Sequence, residues 1–143
     1  MKTIKTNYSV SLFLFLISFT FFTCSKNDDD PAQNTMDIIA MDPVSPANLK
    51  FNEFVVITFD YSITAEEGAR MWIIPYTDGD SSPAYLYSSS KVFTGSGIRQ
   101  VGISIEEGDG PVVVDQIKIT MVDPDQTETY IERFQDVNFT FSE

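Results

Sequence analysis

From Met36 onward, apolar and polar residues alternate with period two along most of the chain, and turn-forming residues interrupt the alternation at short intervals. Successive side chains of an extended strand point to opposite faces, so such a stretch buries one face and wets the other. The clearest case is residues 54–63. Val55, Ile57, Phe59, Tyr61 and Ile63 share one phase and Val56, Thr58, Asp60 and Ser62 the other, which predicts a strand with the first set in the core. Residues 38–41 predict a short first strand, stopped by Asp42-Pro43 and Ser45-Pro46. Residues 69–77 predict another, ended by the turn Asp78-Gly79-Asp80-Ser81-Ser82-Pro83, and two weaker strands are expected at 84–87 and 91–94.

The second half follows the same logic. Arg99, Val101, Ile103 and Ile105 lie on one face, and Glu106-Glu107-Gly108-Asp109-Gly110-Pro111 forms an acidic turn before a strand at 112–122. The expected core face of that strand is Val113, Asp115, Ile117, Ile119 and Met121, which leaves Asp115 as a charge in an apolar row. In the last stretch, 127–141, Val137, Phe139 and Phe141 alternate with polar residues while Phe134 is out of phase, which predicts a bulge near Gln135 or Asp136. Gly95-Ser96-Gly97 reads as an ordinary turn, and residues 65–69 offer at most one helical turn. Seven to eight short strands in the 108 residues from Met36 predict one all-β domain, an immunoglobulin-like or fibronectin-like antiparallel β-sandwich, with a jelly roll as the alternative.

Ahead of this domain the pattern changes. Lys2 and Lys5 precede an uncharged apolar run at residues 10–22, whose 13 residues fall short of the roughly 20 that a bilayer-spanning helix needs. The run reads as the hydrophobic region of a signal peptide over residues 1–23. Cys24, the single cysteine, stands where that region ends; it has no internal disulfide partner, and lipidation is the expected chemistry. The segment resembles a relaxed lipobox of Bacteroidota-type lipoproteins, with Phe22 and Thr23 in place of the small residues of the strict pattern. Directly after it, Ser25-Lys26-Asn27-Asp28-Asp29-Asp30 resembles the acidic signal that exports such lipoproteins to the cell surface. The resemblance implies Lys26, Asp28, Asp29 and Asp30 as that signal; a solvated, self-repelling tether over 24–35 is the plainer reading of the same residues. The implied location is the outer membrane, with the domain facing the cell exterior and held through lipid on Cys24.

Charge narrows the partners. The chain carries 21 acidic and 9 basic residues, and cleavage before Cys24 would remove two of the lysines, which disfavours nucleic acid and anionic membrane surfaces as ligands. Its 43% hydrophobic and 13% aromatic content is that of a folded domain despite the charge.

Chemistry is then approached by elimination. With no histidine and its single cysteine assigned to lipid, the chain has no Ser-His-Asp triad, Cys-His pair, histidine metal site or thiolate site. No phosphate-cradling glycine loop is present. Carboxylates remain, as a hydrolase pair or as oxygen ligands for calcium. The acidic turns at Asp78 and Asp80, at Glu106, Glu107 and Asp109, and at Asp123, Asp125 and Glu128 lack the spacing of an EF-hand loop and read as turns capped by Asp. No catalytic residue, metal or cofactor is therefore expected.

The remaining feature is aromatic. On the 69–77 strand, Trp72, Ile74 and Tyr76 share the phase of Arg70, which places Trp72 and Tyr76 on an outer face that Tyr85 and Tyr87 would extend. Such a surface stacks against a glycan or a protein, although a tryptophan on this strand is also a common core residue of immunoglobulin-like domains. Two functions follow: a non-enzymatic binding or adhesion module with Trp72, Tyr76, Tyr85 and Tyr87 as contacts, or a structural subunit of a larger envelope complex docked through an edge strand. A small carboxylate-based hydrolase is the third.

The run Pro46-Ala47-Asn48-Leu49-Lys50-Phe51-Asn52, the strand VVITFDYSI at 55–63 and the segment GPVVVDQIKI at 110–119 resemble a family of uncharacterised Bacteroidota-type surface lipoproteins with a single immunoglobulin-like domain. The resemblance spans most of the chain after Cys24. It implies fold and location, and its motifs carry no chemistry.

Overall fold

The period-two segments fold as strands in the computed structural model, which describes residues 33–85 and 90–143. In chain order they are β1 (Thr35–Asp42), β2 (Ala47–Lys50), β3 (Val55–Ile63), β4 (Arg70–Thr77), β5 (Asp80–Ser81), β6 (Gly95–Ile103), β7 (Val112–Val122) and β8 (Thr129–Ser142). They form two sheets, β1-β3-β6 and β2-β8-β7-β4-β5, with antiparallel neighbours except for the parallel pair β2 and β8. Among the described residues no helix is present. The expected signal peptide, Cys24, Lys26, Asp28, Asp29, Asp30 and Tyr87 lie outside the described residues. Asn34 already belongs to the fold, its side-chain carbonyl accepting the Thr64 backbone N–H at 2.8 Å and hydroxyl at 3.2 Å.

The inner faces of the two sheets make one core. Met36, Val55, Ile57, Phe59, Ile63 and Ile103 come from the first; Leu49, Met71, Ile73, Val114, Ile117, Ile119, Met121, Phe139 and Phe141 come from the second. On β3 the expected phase holds, with Val55 and Ile57 fully buried and Phe59 nearly so. Edge strand β1 carries one extra residue, since Ile38 faces Phe59 while Ala40 faces the adjacent Thr58. The bulge turns Ile39 out to solvent, and such a kink also makes an edge a poor template for further pairing.

Four local expectations need correction. First, Val113 is not a core residue: it is 41% exposed, while Val112 and Val114 are buried. The reason is a register irregularity. Val114 faces Phe139 but Gln116 faces Asp136, so the phase of β7 flips at Asp115 and only Ile117, Ile119 and Met121 keep the expected side. Asp115 thereby leaves the apolar row, and its carboxylate accepts the Asp78 backbone N–H at 3.0 Å. Second, this irregularity falls at Val137 and Asn138 on β8, directly after Asp136 and so beside the expected bulge, but Phe134 does not depend on it: it is an outward-facing residue, 46% exposed.

Third, residues 91–94 form no strand, and neither do the described residues of 84–87. Each contributes one isolated bridge, Phe93 to Ala69 and Tyr85 to Ile105. Fourth, Gly95-Ser96-Gly97 is the start of β6, pairing with Ile63, Ser62 and Tyr61, and is not a turn. The short parallel strand β2 leaves no mark in the sequence, because four residues, ANLK, are too few to display a period.

Candidate functional site

Strand β4 positions most of the candidate residues. Its odd phase, Met71, Ile73 and Pro75, is buried, so Trp72, Ile74 and Tyr76 take the outer face of the five-stranded sheet and are each half-buried there. Across β7, outward Lys118 pairs with Ile74 on one side and Phe134 on the other. The Tyr76 and Phe134 rings meet edge to face with centroids 5.2 Å apart, a favoured aromatic geometry. The Lys118 ammonium sits 6.0 Å from the first ring and 5.8 Å from the second, and makes a 2.8 Å ion pair with Glu132. That bond to Glu132 raises the lysine's pKa, against an opposing effect of burial. The outer face therefore carries an aromatic cluster pinned around a charged pair.

Tyr85 is placed elsewhere. Among the described residues no strand pairs with the open side of β4 along residues 70–74, and side chains of the following segment bond to its backbone instead. Ser90 Oγ accepts the Met71 N–H at 3.0 Å and the Tyr85 hydroxyl donates to the Ile73 carbonyl at 3.1 Å. Tyr85 therefore packs at the margin of the core rather than extending the outer face. Of the four aromatic candidates, the structure puts Trp72 and Tyr76 on one face, adds Phe134 to them, and separates Tyr85.

A second feature was not legible in the sequence. Where the margins of the two sheets diverge between β4 and β6, a cleft of about 510 Å³ opens toward the core, with Phe59, Met71 and Val101 in its floor. Its rim carries Arg70, Lys91 and Arg99 beside Trp72, Tyr85 and Phe93. Arg99 pairs with Phe59 across the sheet and so points inward, where its guanidinium lies 4.0 Å from the centre of the Phe93 ring. The Lys91 ammonium is 5.3 Å from the same centre, which puts the two charges no more than about 9 Å apart. Arg70 is held from behind, donating from Nε to the Pro124 carbonyl at 2.8 Å and from Nη1 to the Ser90 carbonyl. No acidic side chain is among the described residues lining the cleft, and none of its three cations is ion-paired with a carboxylate among them. The chain's acids outnumber its bases by more than two to one, yet this cleft gathers cations alone.

The acidic turn at Asp123 serves the fold. Asp123 is buried, and its carboxylate accepts the backbone N–H groups of Glu128 at 2.5 Å and Asp125 at 3.1 Å and the Thr127 hydroxyl at 3.0 Å. These bonds, led by that from Glu128, hold its pKa below the ordinary carboxylate value. Among the described residues no three acidic side chains converge as a cation site.

No family model, curated protein or solved structure matches the chain.

Proposed function

We propose that this chain is an exported lipoprotein whose β-sandwich is a non-enzymatic binding module, displayed on the cell surface by lipid on Cys24 and engaging a glycan or a protein. The single observation behind the binding role is the outer face of the five-stranded sheet, where Trp72, Tyr76 and Phe134 lie outside the core. Aromatic side chains with polar neighbours offer flat apolar area at small entropic cost to a ligand. In the same reading the domain is immunoglobulin-like. Named in that convention the strands run A, A′, B, C, C′, E, F, G, and the sheet orders become A-B-E and A′-G-F-C-C′, with A′ parallel to G. One departure matters for the site: the C strand of such domains commonly buries its tryptophan, whereas here Met71 and Ile73 fill the core and Trp72 faces outward.

The test is affinity electrophoresis of the purified domain through a panel of neutral polysaccharides, with Tyr76→Ala and Phe134→Ala. Retardation of the parent that both substitutions reduce, with stability changed by less than about 1 kcal/mol, is the expected result. Unchanged retardation in both variants refutes this face as the site.

Docking into an envelope complex has its own supporting observation. Strand β6 runs nine residues at the edge of its sheet, pairs only with β3 among the described residues, and carries Arg99 as its single charge. Exposed edges with so little charge accept a further strand. On that reading the chain migrates in a large complex in envelope extracts, and lysines at Ile98 and Gln100 release it.

A further inference from the structure

We infer that the cleft between β4 and β6 is a second binding site, selective for an acidic oligosaccharide bearing carboxylate or sulfate groups. The inference is independent of the outer-face reading and rests on the juxtaposition of aromatic walls with cations that have no carboxylate partner among the described residues. In an acidic chain, Arg70, Lys91 and Arg99 would ordinarily sit among carboxylates; here they converge with none beside them among the described residues. Lys91 and Arg99 are held against one ring, so two like charges face the same opening and repel each other until an anion enters. Arg70 is fixed by two backbone carbonyls, which leaves its charge uncompensated at the rim.

The class of anion follows from the surroundings. The chain as a whole is negative, so a densely charged polyanion such as nucleic acid is repelled before it reaches the cleft. A ligand with one charge per ring-sized unit meets less of that field. Two charges within about 9 Å match acidic groups on neighbouring sugar units, and the apolar faces of those sugars suit Tyr85 at the rim and the floor at Met71. An acidic peptide offers charges but no rigid rings to lie along these walls, and the carbohydrate is therefore the better fit.

The full-length chain, solubilised in non-ionic detergent, is titrated by calorimetry with a galacturonate hexasaccharide, a sulfated dextran oligosaccharide, a neutral dextran oligosaccharide and a hexaglutamate peptide. At least one acidic sugar binds more tightly than the neutral one; which of the two does so identifies carboxylate or sulfate as the recognised group. Lys91→Gln and Arg99→Gln each weaken binding by about tenfold, the size expected for one charge-assisted contact. Arg99→Lys keeps most of the affinity, and binding weakens as salt rises. Lys91 is exposed, so its variant reports on the cleft even if Arg99→Gln is unstable. Absence of binding by both acidic sugars overturns the inference, as does affinity unaffected by Lys91→Gln. Tighter binding of hexaglutamate than of either sugar overturns it in favour of a peptide ligand.

Discussion

The phase flip in β7 can be tested with two neighbouring valines. Val114 is fully buried beneath Phe139 of β8, whereas Val113 is 41% exposed on the other face. Val114→Ala removes two methylene equivalents from the core, about 1.6 kcal/mol of transfer free energy at ~0.8 each. The unfilled space adds a cavity cost on the order of 1 kcal/mol, giving a total of roughly 2 to 3 kcal/mol. Val113→Ala removes the same atoms from a half-wet surface, and surface changes of this kind usually fall within about 0.5 kcal/mol. In urea melts of the domain with a slope of about 1.5 kcal/mol/M, the first substitution moves the midpoint by more than ~1 M and the second by less than ~0.4 M. Equal shifts, or a larger one for Val113→Ala, would refute the flip and restore the uninterrupted alternation that the sequence implies.

Three further outcomes are expected. Gly68 has φ +83°, and a Cβ there would stand 2.4 Å from the Phe93 carbonyl oxygen, so Gly68→Ala should cost at least about 2 kcal/mol in thermal or urea melts; a loss under ~0.5 kcal/mol would contradict the close approach. The Asp123 carboxylate titrates below its ordinary value of 3.8, so its contribution is present above that pH and is lost as pH falls through the lower folded value; Asp123→Asn should therefore flatten the acid limb of a stability profile, and an unchanged limb would show that the turn does not govern it. Cys24→Ser should abolish lipid labelling and release the chain from the membrane fraction, and undiminished membrane association would refute the anchor.

Much of the architecture was legible because a half-buried strand must alternate. On β3, apolar residues at 55, 57, 59, 61 and 63 stand in a single phase, and no other regular structure buries such a set on one side. The all-β class, the inward row of β6 and the outward phase of Trp72 and Tyr76 followed from the same rule; for β4, Arg70 broke the tie between two apolar faces. Tertiary structure decided what periodicity does not encode. Valines at 112, 113 and 114 leave the phase of β7 open, and pairing with Phe139 and Asp136 settles it. Tyr85 has the composition of a surface aromatic, yet the bare carbonyl of Ile73 at the side of β4 claims its hydroxyl. The basic cleft depended on folding most of all. Arg70, Lys91 and Arg99 are spread over 30 positions with nothing in the sequence to link them, and only the divergence of two sheet margins brings them to one opening. Charge along a chain is a sum over residues, whereas the charge of a site is set by which strands end up beside each other.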